Sequence, residues 1–567
     1  MTKFNLRLLF SILAIFAVML FAVACGDDDD DDEGDDTGDT GDQTQAPSGT
    51  ITVRTLQFES WDPHFANFSQ DIDHFYKVWR GLYSFNSDEE TIASMAADMP
   101  EITDGGKTYT VKLKPDLKWS DGEPLTAKDF VLGMQRSCNF EIASHYQYIL
   151  TAVVGCDAYY DPKNADKTAA EQEALLKGVG VRAVDDLTVE YKLSDPQPTF
   201  TTLLGMWPTF PVPSHLVATV NAAWPGPMEN AYNGPFMPGA YTENSQMELV
   251  NNPNWAGENK PKVEKIVMKY IDDTSLAETA YRAGEIDITT ANTATLDALR
   301  NDPTLSKELL SYASPTTIGI EYNTTDPLFA KPELRLALSQ ATDRKTLNEV
   351  VLKGANVPTT AWIPYELSGA DEGEYDEFLG FNVDSAKKNL EKAGFANGNG
   401  FPGFTILLTD SATNHATGEF LQAEWKKHLN IDVELEFVDA PTRSGRFNSM
   451  DYQMVLGGWH QDYADAENWM LGLWETGGTI NKTGTSDPAV DDLLDKARFN
   501  QNNEERIEQY REAEKLLLET ANGIAPLYFR ANHFLVKPYI TGVEDNTTTN
   551  DSQMPSAWQP ELWGIDE

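Results

Sequence analysis

The stretch 456–469 reads L-G-G-W-H-Q-D-Y-A-D-A-E-N-W. It sets Asp462 between Trp459 and Tyr463, with Asp465, Glu467 and Trp469 close behind. Taking a carboxylate out of water is costly unless a cation or several hydrogen-bond donors meet it. Aromatic faces beside it exclude solvent and attract cations. Two readings follow: a carboxylate kept for a partner charge, or an aspartate capping a local turn inside an aromatic core.

Other reactive patterns fail when their spacing is tested. G-G-K-T at 105–108 looks like half a phosphate loop, but Glu101 stands where the first glycine belongs. It also leads into a strand rather than a helix, so a hairpin turn is the better reading. Neither H-E-x-x-H nor G-x-S-x-G occurs, and the eight histidines are scattered. Cys138 and Cys156 have no C-x-x-C partner and no nearby His pair, so no zinc site is expected. Acidic pairs are too common in this chain to single out a glycosidase dyad. No catalytic residue, metal or cofactor is expected.

The N-terminus is a separate device. Lys3 and Arg7 precede a long apolar run, Leu8 to Ala24, which ends A-V-A-C at 22–25. This reads as a lipoprotein signal peptide over 1–24, cleaved before an acylated Cys25; a retained membrane anchor is the alternative. Either way the rest of the chain is exported, on the outer face of the membrane. Residues 25–49 form an acidic tether with no basic or aromatic residue, unable to build a core. A calcium-loop reading of 29–34 fails because Thr40, not Glu, stands at position twelve. With 43 basic against 89 acidic residues, net −46, the chain repels nucleic acid and anionic lipid. In an exported chain, Cys138 and Cys156 read as one disulfide, or else as two separate buried thiols.

At 567 residues the chain needs several domains or lobes. Alternation predicts strands at 50–57, 109–113, 187–193, 262–270 and 431–438, with shorter ones at 286–288 and 404–408. Helices are expected at 127–136 behind a Thr126 cap, 274–283 up to Gly284, 332–342, 384–394 opening on a capping aspartate, 417–429, 487–494 and 503–521. Residues 205–260, rich in Pro, Gly, Trp and Asn, read as loops. The strand–helix alternation of the second half argues for an α/β lobe with a partly parallel sheet.

The motifs K-W-S-D-G-E-P-L-T-A-K-D-F-V at 118–131, S-M-A-A-D-M-P-E-I-T-D-G-G-K-T-Y-T-V-K-L at 94–113, Y-N-G-P-F-M-P-G-A-Y at 232–241, N-N-P-N-W at 251–255, Y-R-A-G-E-I-D at 281–287 and P-E-L-R-L-A-L-S-Q-A-T-D-R at 332–344 occur in this order. Together with G-G-W-H-Q-D-Y they resemble the extracytoplasmic solute-binding proteins of oligopeptide and dipeptide ABC importers, solute-binding family 5. The likeness runs over about residues 50–540.

The resemblance implies an α/β, periplasmic-binding-protein-like fold (type II, cluster C) with two hinged α/β lobes plus an additional inserted lobe. Lobe I would comprise 50–93, 205–312 and 533–567, lobe II the insertion 94–204, and lobe III residues 313–532. It implies a monomer, not an enzyme, that closes over a short peptide and delivers it to permease subunits. A receptor of the same fold for a sugar, a nickel complex or another small molecule is the alternative. Asp462 falls where such proteins hold a peptide α-ammonium, beside Trp459, His460 and Tyr463, with Tyr146 facing the ligand from lobe II. Leu456 stands where one branch of the family has an arginine for the peptide carboxylate, and Ala440 where a tryptophan is expected. Arg443 and Arg446 are the substitutes nearest in sequence.

Overall fold

The computed structural model describes residues 49–544, 554 and 556–566. The apolar leader, Cys25 and the acidic segment up to 48 lie outside these residues.

The dominant element is a mixed sheet. Its order runs Val433–Val438, Phe404–Thr409, Met454–His460, Leu309–Tyr322, Ile524–Val536, Ile288–Thr290, Thr50–Thr55, Lys265–Tyr270, Gln246–Asn251 and Phe236–Thr242. Two long antiparallel strands, Leu309–Tyr322 and Ile524–Val536, serve both halves. At one end they pair with Ile288–Thr290, at the other with Met454–His460. Their register slips between Ala313 and Thr317, an irregularity at the passage from one half to the other. The chain therefore crosses between the halves on two neighbouring strands, which can bend together.

Burial follows the same division. One core joins Ile51, Trp79, Trp119, Trp207 and Ile266, so the four-stranded sheet of residues 101–192 shares a core with the first half of the large sheet. In the second half, Ile320, Tyr322, Met454, Leu456 and Trp425 pack on one face of the sheet. Trp362, Trp469, Trp474 and Tyr510 pack together as a separate cluster. Strand alternation assigns the faces: Ile318, Ile320 and Tyr322 turn to the Trp425 core, while Thr317 turns away and donates to the Trp362 carbonyl at 2.7 Å.

The G-G-K-T turn joins Glu101–Thr103 to Thr108–Lys112 in a hairpin, with Gly105 and Gly106 at positive φ. Helix Ala127–Ser137 starts on Thr126, whose backbone N–H donates to Asp129 at 2.8 Å. Cys138 and Cys156 form a disulfide. On the loop-entropy model such a link stabilises by about 3 kcal/mol.

Four expectations are corrected. Residues 205–260 are not all loop: Phe236–Thr242 and Gln246–Asn251 form a hairpin, with Met247 and Leu249 buried. The register slips between Pro238 and Ala240, so the Pro and Gly that signal a loop mark an irregularity in a strand. The short strand is Ile288–Thr290, two residues later than expected. Helix Val383–Lys392 is capped by Asn382, which accepts from the Ser385 N–H at 3.0 Å, rather than by Asp384. Helix Ala412–Leu429 begins earlier, behind Ser411, because its first turns are polar and carry little hydrophobic signal.

Candidate functional site

Strand Met454–His460 delivers the central motif. Gly457 and Gly458 are required by crowding: a Cβ on Gly458 would collide with the Thr317 carbonyl, and one on Gly457 with the Glu321 carboxylate. Past the strand the chain turns into helix Ala466–Met470, whose Asp465 cap accepts from the Glu467 N–H at 2.8 Å. Asn468, in that helix, reaches back. Its Oδ1 accepts from the Asp462 N–H at 2.9 Å and from the Trp459 indole N–H at 3.1 Å. Its amide donates to Asp462 Oδ2 at 3.1 Å. One short helix thus fixes both the carboxylate and the ring beside it.

The facing wall comes from the loop between the two cysteines. It carries Tyr146 and Tyr148 around the turn Gln147–Leu150. Tyr146 donates to Asp462 Oδ1 at 3.0 Å, and Tyr148 to Asp462 Oδ2 at 3.3 Å. Asp462 is 6% exposed, and its side-chain donors are all uncharged. Burial pushes its carboxyl up to about 6 against the pull of Asn468, Tyr146 and Tyr148. Neutral donors hold the group in place without supplying the cation that would fully offset its desolvation.

Tyr146, Tyr148 and Trp459 line a cavity of about 360 Å³, together with Phe68, Trp362, Phe447 and Trp474. Besides its tyrosines, its charged or titratable lining is Glu321, Arg443, Lys482 and His145. Arg443 donates to the Leu456 carbonyl at 3.2 Å and lies over the Phe447 ring. Burial pushes Glu321 up to about 7, although Arg443 and the Gly458 N–H pull it down. The cavity offers shape, rings and a few charges, an arrangement suited to holding a solute.

The motif residues separate. Asp462, Trp459 and Tyr146 come together, and Arg443 lines the same cavity. Tyr463 does not line it: the side chain is buried and donates to Glu467 at 3.1 Å. His460 pairs through Nδ1 with Thr316 Oγ1 at 2.7 Å and is also outside the lining. Arg446 lies elsewhere, paired with Glu436 at 2.7 Å and Asp451 at 3.3 Å. Tyr148, Asn468, Glu321 and Lys482 were not singled out from the sequence. Tyr148 was within reach, two residues after Tyr146. Glu321 was too, since alternation beside Ile320 and Tyr322 turns it away from the apolar face.

A ligand-sized cavity beside two crossover strands suits a solute-binding protein. Comparison with known proteins agrees. The chain belongs to the bacterial extracellular solute-binding proteins, family 5, whose middle-region model matches residues 90–481. It is 27% identical over 502 residues to the oligopeptide-binding protein OppA of Bacillus subtilis, covering 87% of this chain and 89% of that one. It is 30% identical over 459 residues to the "Probable deoxycholate-binding periplasmic protein YgiS" of Escherichia coli, covering 80% and 83%. The structure of the Escherichia coli murein tripeptide binding protein MppA matches with a TM-score of 0.79 at 25% identity, over 92% of this chain and 99% of that one. The unliganded open form of MppA matches less well, at 0.69. The architecture is the mixed α/β, multi-lobed one of periplasmic peptide-binding proteins. The family consists of solute-binding proteins, not enzymes.

Proposed function

We propose that this protein is the substrate-binding component of an ABC importer, tethered to the outer face of the membrane through acylated Cys25. It captures short peptides as a monomer, closes over them and presents them to permease subunits; it performs no chemistry. Lobe I at 50–93, 205–312 and 533–567, the insertion 94–204 and lobe III at 313–532 are the moving parts. The observation that carries the reading is Asp462: a buried carboxylate behind the cavity wall, held by neutral donors from both sides of the cleft. A peptide α-ammonium displaces one tyrosine hydroxyl and supplies the missing positive charge. Trp459 borders the ammonium, and Arg443 takes the peptide carboxylate in place of the arginine that Leu456 replaces. His460 and Tyr463 act from behind this wall. Arg446, paired with two carboxylates, takes no part.

The test is thermal stabilisation of residues 49–567 by two- to five-residue peptides with free or acetylated N-termini. The reading expects a higher midpoint with the free-amine set alone, and its loss in Asp462→Asn. A non-peptide solute is the second reading. It is favoured by the likeness to YgiS and by the three neutral donors already on Asp462. It expects no dependence on a free amine, and silence from both peptide sets would establish it over the first.

A further inference from the structure

Among the residues lining the cavity, Glu321 is the sole acid. It is 7% exposed and sits near the end of crossover strand Leu309–Tyr322, opposite Val455. Its position is fixed by the sheet, and Gly457 leaves the space its carboxylate occupies. A carboxylate has about four lone-pair sites. Two other deeply buried carboxylates of this half accept three or more hydrogen bonds each. Glu514 accepts from the Trp362 and Ile363 N–H groups and from Tyr375. Glu467 accepts from Gln197, Thr199 and Tyr463, with Arg506 at 4.0 Å. Glu321 has the backbone N–H of Gly458. Arg443 lies beside it next to Gly457 and pulls its carboxyl down, but donates to the Leu456 carbonyl and makes no ion pair with it. Because Glu321 lines the cavity, acceptor capacity remains on that side for a ligand.

We infer that Glu321 forms a second cation subsite, so that the preferred ligands are short peptides bearing a basic side chain. This inference rests on the peptide reading above. A lysine ammonium or arginine guanidinium that reaches Glu321 completes the hydrogen bonding of a carboxylate that is already largely buried. Its aliphatic stem lies along the rings of the cavity. A peptide with an uncharged side chain leaves the carboxylate short of partners, and a buried group in that state is unfavourable. Arg443 and Lys482, which also line the cavity and form no ion pair among the described residues, face the ligand's carboxylate instead.

Calorimetry with alanine tripeptides tests this. Lysine is placed first, second or third, and each peptide is compared with its norleucine and Nε-acetyl-lysine counterparts. At one position lysine is expected to bind at least tenfold more tightly than either. In Glu321→Gln, which keeps an acceptor for the Gly458 N–H, the ratio of lysine to norleucine and acetyl-lysine affinity at that position is expected to shrink below twofold. The acetyl-lysine comparison needs no variant, so it holds even if the substitution disturbs folding. Norleucine peptides that bind as well as lysine peptides at all three positions would overturn the inference and leave the peptide reading standing. An advantage that survives Glu321→Gln would also overturn it. Failure of all the tripeptides would sink both.

Discussion

Asp462 and Glu467 are five residues apart and both buried, yet their surroundings differ in kind. Glu467 is 0% exposed and sits beside a cation: Arg506 pairs twice with Asp465 and stands 4.0 Å from Glu467. Gln197 and Thr199 reach it from the far side of the cleft. Burial raises its carboxyl, Asp465 raises it further, and Arg506 opposes both. Asp462 has neutral donors only and borders the lining of a cavity. A carboxylate supplied with its own cation is structural and holds the lobes together. On the proposed function Asp462, oriented without a cation at the cavity wall, is the carboxylate that takes the incoming charge; Glu514, also held by neutral donors, lies away from that cavity.

The largest effect that follows is on the structural niche. Arg506→Met strips the cation from buried Glu467 and half-buried Asp465 and is expected to cost about 3–5 kcal/mol, read as a lower urea midpoint with unchanged slope. A loss below about 1 kcal/mol would break the comparison, since Glu467 would then need its cation no more than Asp462 does. Next comes Asp462→Asn. It keeps the side-chain volume and removes a charge with no protein counter-ion. Free-amine peptides are expected to bind about 100-fold more weakly, within the 2–5 kcal/mol typical of removing one partner of a desolvated pair. The unliganded thermal midpoint is expected to stay level or rise.

Much of this division was legible in the sequence, and the reasons can be read from particular residues. Strands such as Thr50–Thr55, Thr108–Lys112 and Val433–Val438 alternate in hydrophobicity because one face meets a core. Asp462 and Trp459 were reachable through their motif, and Tyr146 through the family resemblance. The hairpin at 236–251 was hidden by proline and glycine that sit at a strand irregularity. Tyr463 and His460 were grouped with the ligand set by proximity along the chain, but strand pairing sets His460 against Thr316 and the turn after the strand sends Tyr463 to Glu467. Glu321 and Asn468 carry no motif. Their roles depend on which strands pair and on a helix turning back, neither of which local sequence encodes.

A third effect concerns pH. Asp462 in the ligand-free fold titrates near 6, above its ordinary 3.8. The raised value means the folded protein favours the protonated acid. That contribution to stability is full below about 4 and is lost as pH rises through 6, a change of about 3 kcal/mol at 1.36 kcal/mol per unit. Ligand binding runs the other way, since an ammonium pairs with the ionised form. Affinity for free-amine peptides is expected to be about tenfold weaker at pH 5 than at pH 7, the ratio set by the ionised fraction. Acetylated peptides, and Asp462→Asn with any peptide, are expected to lack that component. Calorimetry at both pH values checks this. A flat profile for free-amine peptides would place Asp462 with Glu467 as a structural group.

The smallest effect separates two tyrosines, one on each of the two carboxylates. Tyr148→Phe removes a 3.3 Å donor from Asp462 and a polar atom from the cavity wall. Tyr463→Phe removes a 3.1 Å donor from Glu467 and nothing from the cavity. A neutral hydroxyl bond contributes about 1 kcal/mol net. Tyr463→Phe is therefore expected to lower stability by about that much while peptide affinity stays within twofold. Tyr148→Phe is expected to change affinity several-fold, upward if the hydroxyl competes with the ammonium and downward if it helps to orient the carboxylate. Equal effects of the two substitutions on affinity would mean that the niche of Glu467 and the wall of the cavity act as one unit. The cation beside Glu467 would then hold the cleft in the shape that Asp462 needs, and structural and ligand-facing carboxylates would no longer be separable by their partners alone.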